Sequence, residues 1–224
     1  MARNVSNGRC EFCGATFSRQ IMTRHLAGCE PVASPSRGKK TKSVAATTNA
    51  FHLLVDGGGP YWLQLFARAD ATLGDLDAYL RGIWLECCGH MSAFTIAGTT
   101  YSVGPMDEFA DQPMTAKLNK VLTTKMKFQY EYDFGSTTEL ALTVVADRLI
   151  PKTKEKILLA ARNEKPVIPC GACKDRPATM VCSCCGYDGG GWLCDDCAKD
   201  HECGEEMLLP FVNSPRTGVC GYTG

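Results

Sequence analysis

Cysteines at metal-ligand spacing crowd the last quarter of this chain. Between Cys170 and Cys220 lie nine cysteines and His201, arranged as Cys170-Gly-Ala-Cys173, Cys182-Ser-Cys-Cys185, Cys194-Asp-Asp-Cys197, then His201 and Cys203. Two residues between paired cysteines let one tight turn aim both sulfurs at a single ion, so four such pairs supply the eight ligands of two tetrahedral zinc sites. Ten candidates compete for those eight places. Cys184 is spare within its own pair, and either Cys203 or Cys220 is the other spare; the reading taken here makes His201 and Cys203 the fourth pair. Alternate pairs sharing an ion would give a cross-braced module, with Cys170, Cys173, Cys194 and Cys197 on one ion and Cys182, Cys185, His201 and Cys203 on the other. Sequential pairing is the competing arrangement, and spacing does not choose between them, nor between zinc and iron. A surplus of protein ligands points to closed, structural sites without an open catalytic position.

A second signature opens the chain: Cys10-Glu-Phe-Cys13, Phe17, Met22, His25 and Cys29, spaced C-x2-C-x3-F-x4-M-x2-H-x3-C. It resembles a zinc finger of the C2HC kind. The first pair would form a hairpin knuckle, Ser18 would cap a helix with its hydroxyl, and His25 and Cys29, one turn apart, would face the ion. Phe17, Met22 and Leu26 would be its small core. Arg19, Gln20, Thr23 and Arg24 are placed on the exposed helix side, where they could meet phosphates or bases. The expectation is therefore three zinc ions in all.

These ligands must be held by elements that the composition constrains. At 224 residues and 45% hydrophobic, the chain can bury one medium core beside small appendages. The Cys-rich end is too short and polar to share that core, so its ions should fold it. No apolar signal segment opens the sequence and no 18-residue apolar run occurs, so a soluble cytoplasmic protein without a membrane partner is expected. The net charge of zero hides an asymmetry. Residues 1–45 sum to +6 and the rest to −6, with four basic and eight acidic side chains in residues 166–224. Nucleic acid is thus expected only at the basic end and a protein partner at the acidic one.

The chain divides into a finger (1–30), a flexible basic linker (31–48) whose Lys39 and Lys40 could add phosphate contacts, a globular region (49–165) and the two-zinc module (166–224). Phe51–Val55 and Tyr61–Ala67 read as strands joined by Asp56-Gly-Gly-Gly-Pro60. No Lys-Ser or Lys-Thr follows those glycines, which excludes a P-loop. Thr72-Leu-Gly-Asp75 is a capping-box-like helix start, and Leu73, Leu76, Tyr79, Leu80, Ile83 and Trp84 recur at helical spacing. That helix should lie across a sheet. A hairpin follows around Ala97-Gly98, then a short helix over Leu118–Leu122, strands over Lys127–Tyr132 and Leu140–Ala146, and an edge strand over Ile157–Ala161. Tyr130, Tyr132 and Phe134 should alternate on a strand, with Gly135 opening a turn. Trp192, Leu193, Met207, Leu208, Leu209 and Phe211 are expected to pack the zinc module against the central region.

Thr72-Leu-Gly-Asp75-Leu, Trp84, His90-Met-Ser-Ala-Phe94 and Phe128-Gln-Tyr-Glu-Tyr132-Asp133-Phe134-Gly135 resemble the plasmid pRi open-reading-frame-three-like family, whose members are often labelled transposon-passenger or resolvase-like. The resemblance covers about residues 48–165, and the Cys-rich tail ending Asn213-Ser-Pro-Arg-Thr-Gly-Val-Cys-Gly-Tyr222 is similar to an extension some members carry. It implies an α+β domain, a β-grasp-like mixed sheet crossed by a helix, here flanked by the two zinc modules. It implies a mobile-element setting but little biochemistry. The chain departs from the family after Gly135, where Ser136-Thr137-Thr138 stands in place of the usual Asp and Trp.

No catalytic residue is assigned. Asp133-Phe134-Gly135 lacks every other part of a protein kinase, and the thiols of Cys87 and Cys88 are expected in the core with His90 capping a helix end. The functional expectation is a non-enzymatic zinc adaptor that could bind DNA or RNA through its N-terminal finger and protein through its C-terminal module. The alternative is an enzyme with a pocket near His90, Glu131 and Asp133.

Overall fold

The computed structural model describes residues 6–31, 46–104, 111–186 and 190–224. In chain order its elements are β1 (Asn7–Cys10), β2 (Thr16–Ser18), α1 (Arg19–His25), β3 (Thr47–Asp56), β4 (Trp62–Arg68) and α2 (Leu73–Leu80), which runs into a π-helical turn at Arg81–Leu85. Then come β5 (Ser92–Ile96), β6 (Thr99–Ser102), β7 (Gln112–Pro113), α3 (Leu118–Val121), β8 (Lys127–Tyr132), β9 (Thr138–Pro151) and β10 (Ile157–Asn163). The tail adds β11 (Met180–Cys182), β12 (Trp192–Leu193), α4 (Asp195–Lys199) and β13 (Leu208–Pro210). The result is mostly sheet with few helices.

Ten strands form one mixed sheet in the order β2-β1-β10-β4-β3-β9-β8-β5-β6-β7, antiparallel except for the short parallel pair β6 and β7. A separate small sheet, β12-β11-β13, belongs to the tail. The sequence alone did not indicate that the N-terminal knuckle joins the large sheet. β1 pairs with β10, Gly8 opposite Asn163 and Cys10 opposite Ala161. β10 is therefore not the edge strand expected of Ile157–Ala161: it lies between β1 and β4.

Both faces of β4 are covered, which explains why its sequence shows no polar alternation. Leu63, Leu65 and Ala67 pack with Leu73, Leu76, Leu80 and Trp84 of the α2 segment in the main core. Trp62 and Phe66 join Met22 and Leu26 of the finger, with Ile150 and Ala160, in a second core. Burying one such side chain is worth about 1.5–3 kcal/mol, so the finger is anchored by more than its own ligands. Polar bonds trace the same seam. His52 Nε2 donates to Gln64 Oε1 at 2.6 Å, Gln64 Nε2 donates to Thr23 Oγ1 at 2.6 Å, and Thr23 Oγ1 donates to the Arg19 carbonyl at 3.0 Å. Arg148 donates to the Leu26 carbonyl while stacking on Phe66.

Local signals largely set the remaining elements. Thr72 caps α2 in a reciprocal box: Asp75 N donates to Thr72 Oγ1 at 3.1 Å, and Thr72 N donates to Asp75 Oδ2 at 2.7 Å. Asp does the work usual for Glu because Lys156 Nζ also holds its carboxylate, at 2.9 Å. Ala97 and Gly98 take φ of 49° and 82°, the left-handed pair of a tight hairpin between β5 and β6. Two expectations fail. The Ser18 side chain makes no cap bond to α1, since Ser18 is held in β2 opposite Asn7. Phe134 lies outside β8: Asp133 turns to φ 64° and accepts from Gly135 N at 3.1 Å, leaving Phe134 exposed.

Candidate metal centres

Four groups of Cys and His side chains bring their ligand atoms within 4.8 Å of one another. Tetrahedral zinc with Zn–S near 2.3 Å requires sulfurs about 3.8 Å apart, and a disulfide requires about 2.05 Å. All fourteen cysteines are free thiols.

The first group is Cys10, Cys13, His25 and Cys29. Cys10 ends β1, and the knuckle closes by Cys10 N donating to the Ala15 carbonyl and Gly14 N to the Cys10 carbonyl, each at 2.9 Å. His25 ends α1, and Cys29 N donates back to the His25 carbonyl at 3.1 Å, so both ligands face the knuckle. Cys10 and Cys29 sulfurs stand 3.8 Å apart, and Cys13 Sγ is 3.3 Å from His25 Nε2.

In the tail, Cys170, Cys173, Cys194 and Cys197 converge, as do Cys182, Cys185, His201 and Cys203. This is the interleaved, cross-braced geometry. Its frame is the small sheet: β11 delivers Cys182, β12 leads into Cys194, and α4 carries Cys197 one turn on. Sulfur separations of 3.9 Å for Cys173 and Cys194 and 3.4 Å for Cys185 and Cys203 suit one ion each. Cys184 points outward, exposed.

The electrostatics also fit a dication. Burial disfavours the Cys170 thiolate, but backbone N–H groups of Cys173, Cys194 and Ala172 outweigh it and bring the thiol down to about 6. Cys182 falls to about 7 against burial, through N–H groups of Cys185 and Cys184 and the His201 ring. Their partners move the other way. Contact with Cys194 and then burial push Cys197 up to about 12, and contact with Cys185 and Cys182 does the same to Cys203. Four thiolates cannot share so small a volume uncompensated, and a bound cation is the natural compensation. His201 joins the second set with its ring among the three thiols. The donor sets, thiolates with one or no imidazole, are those zinc prefers.

No protein family described by sequence matches this chain, and no curated relative matches it. A crystal structure of a protein of unknown function from Methanosarcina mazei Go1 is similar over 50% of this chain and 67% of its own length, at 18% identity and a TM-score of 0.42.

The residues expected to face nucleic acid divide. Gln20 and Arg24 are exposed on α1. Arg19 and Thr23 instead turn toward the sheet, Arg19 paired with Asp56 and Thr23 accepting from Gln64. Lys39 and Lys40 lie outside the described residues. No described helix is long and apolar enough to cross a membrane.

The pocket suggested near His90, Glu131 and Asp133 splits as well. Glu131 lines a shallow groove with Thr95, Thr100 and Ser102, whereas His90 and Asp133 meet elsewhere, with His90 Nδ1 3.4 Å from Asp133 Oδ1. The tail docks onto the central region through the polar segment Asn213–Arg216; of the apolar residues expected to do this, Leu193 and Leu208 pack in the tail's own cluster and Trp192 meets Phe211 instead. Asn213 exchanges 2.8 Å bonds with Asn163, Ser214 Oγ donates to the Trp84 carbonyl at 2.6 Å, and the fully buried Arg216 donates to Asp133 at 2.6 Å. Of the two thiols expected in the core, Cys87 is half-buried against it while Cys88 is exposed, and His90 caps no described helix. They form the fourth group, with Cys220. Sequence reasoning passed over it, although Cys87-Cys88-Gly89-His90 has ligand spacing and Cys220 was left over.

Proposed function

We propose that this protein is a zinc-organised, non-enzymatic adaptor. It would engage DNA or RNA phosphates with its basic N-terminal end and a protein partner with its acidic C-terminal module. The observation that carries this reading is the closure of the three Cys/His quartets by protein ligands alone, which leaves ions there no open position for substrate or activated water. Gln20 and Arg24, exposed on α1, are the described surface available for phosphate; Arg19 and Thr23 act in docking the finger. Membership of the plasmid pRi open-reading-frame-three-like family, its mobile-element setting and a β-grasp-like core belong to the same proposal. They are supported by the capped helix packed on the sheet and by the Tyr130–Gly135 block closing β8.

The test is binding of the zinc-loaded full chain to short duplex and single-stranded probes across a salt series. Affinity should fall linearly in log–log form, and replacing Arg24, Lys39 and Lys40 together by Ala should flatten the slope by about 2–3 units if all three contact phosphates. Binding that ignores salt, or is absent for every probe, refutes the nucleic-acid half.

A further inference from the structure

Three of the four cysteines left over from the three quartets, Cys87, Cys88 and Cys220, meet one another, and Cys184 stands apart. The π-helical turn ends at Leu85, capped by Glu86, and Cys87, Cys88 and His90 follow; the turn at Gly218–Gly221 brings Cys220 to them from far along the chain. We propose that Cys87, Cys88, His90 and Cys220 hold a fourth ion, zinc(II), which clasps the C-terminal turn onto the end of α2. This goes beyond the adaptor reading, since the site lies outside both zinc modules and does not depend on what the N-terminal end binds.

Three observations carry it. The first is spacing: Cys88 Sγ is 3.7 Å from both Cys87 and Cys220 sulfurs, and His90 Nε2 is 2.9 Å from Cys88 and 3.2 Å from Cys220. The sulfur separations match the edge of a zinc tetrahedron, about 3.8 Å, and the imidazole contacts, shorter than its sulfur–nitrogen edge of about 3.6 Å, place Nε2 against the same thiols. The second is the aim of the imidazole. Its Nε2 faces the thiols while Nδ1 faces Asp133, which is itself fixed by Arg216 at 2.6 Å and by the N–H groups of Gly135 and Ser136. A carboxylate behind a histidine is the usual outer support of a zinc ligand, setting tautomer and ring plane. The third is that both ligand segments are braced by bonds that need no ion. Glu86 accepts from Gly89 N at 2.6 Å and from Arg81 Nε at 2.7 Å, and Arg81 also donates to the His90 carbonyl at 2.6 Å. On the C-terminal segment Ser214 and Arg216 fix the approach, and Cys220 holds φ 50°, a left-handed backbone uncommon outside glycine, to present its sulfur.

The decisive experiment counts zinc per chain by elemental analysis and native mass spectrometry in wild type, Cys88→Ser and Cys220→Ser. Each variant should hold one ion fewer than wild type, four falling to three if every group is filled. A drop of one ion supports the clasp at whatever total the wild type shows, and a wild-type total below three counts against the three quartets. Alkylation mapped by peptide mass guards against misfolded variants. In the loaded wild-type protein Cys88 and Cys220, though exposed, should react about tenfold or more slowly than the exposed Cys184, and chelation should erase the difference. Unchanged ion counts in both variants, or Cys88 and Cys220 reacting as fast as Cys184 in the loaded protein, overturn the proposal.

Discussion

Replacing Gly8 by Ala should pull the finger away from the sheet without emptying its metal quartet. A Cβ at Gly8 would lie 2.3 Å from Cη2 and 2.5 Å from Cζ2 of Trp62 and 2.4 Å from the Arg162 carbonyl oxygen. Ordinary contact begins near 3.4 Å, so relief needs a shift on the order of 1 Å, and packed interiors yield that only at a cost. Neither neighbour can give way cheaply, because Trp62 is fully buried and Arg162 belongs to the β10 backbone. Overpacking costs about 1–3 kcal/mol, and loosening the β1 ladder, including Glu164 N to the Asn7 carbonyl at 2.8 Å and Glu11 N to the Ala160 carbonyl at 2.9 Å, adds to it. A loss of about 3 kcal/mol and a melting temperature lower by roughly 6–12 °C are expected for a chain of this size. Hydrogen exchange should show reduced protection in β10 while zinc content stays at the wild-type value. Gly28→Ala, in the same finger but with open space around its Cβ, is the control and should be neutral. If Gly8→Ala melts with wild type and β10 amides stay protected, the docking of β1 described above is wrong.

Acid should weaken the finger–sheet seam through His52. Burial lowers its pKa from 6.5 to about 4, so the folded state keeps it neutral while the unfolded chain takes up a proton. The contribution is complete above pH 6.5 and is lost as pH falls toward 4; about 2 kcal/mol should disappear between pH 6.5 and 5. Urea titrations at several pH values should show a shallower slope in His52→Gln than in wild type. Arg216→Met should cost about 3–5 kcal/mol by leaving Asp133 buried without its cation. The double variant with Asp133→Asn should recover part of that, and strict additivity in denaturant midpoints would argue against the pair. Chelation should release the tail first, because strands of two and three residues cannot hold β12-β11-β13 together alone. Amide protection there should vanish while β3, β4 and β9 keep theirs; survival of the tail's protection would remove the structural role of its ions.

What the sequence disclosed was local. CxxC spacing, the Thr72–Asp75 box and Ala97-Gly98 each act over a few residues, and each can be located in the fold. What it concealed was long-range. Nothing in Asn7–Cys10 marks Asn163 as a partner, and Cys220 lies 130 residues from His90. One clue was present in Trp62–Arg68, which buries Trp62, Gln64 and Phe66 as well as Leu63, Leu65 and Ala67. A strand apolar or buried on both faces needs a cover on each, and α2 supplies only one. Helical spacing alone places Arg19 and Thr23 outward; because the finger itself is the second cover of β4, they turn toward the sheet.

The pairing of β1 with β10 sets an order of events during synthesis. The first cysteines to emerge can take an ion at once, because all four ligands lie within twenty residues of one another, yet their seat on the sheet is built from the strand ending at Asn163. Contacts of such wide sequence separation close late. The finger can therefore close on an ion well before the strand that seats it has been made, and its docking waits for β10.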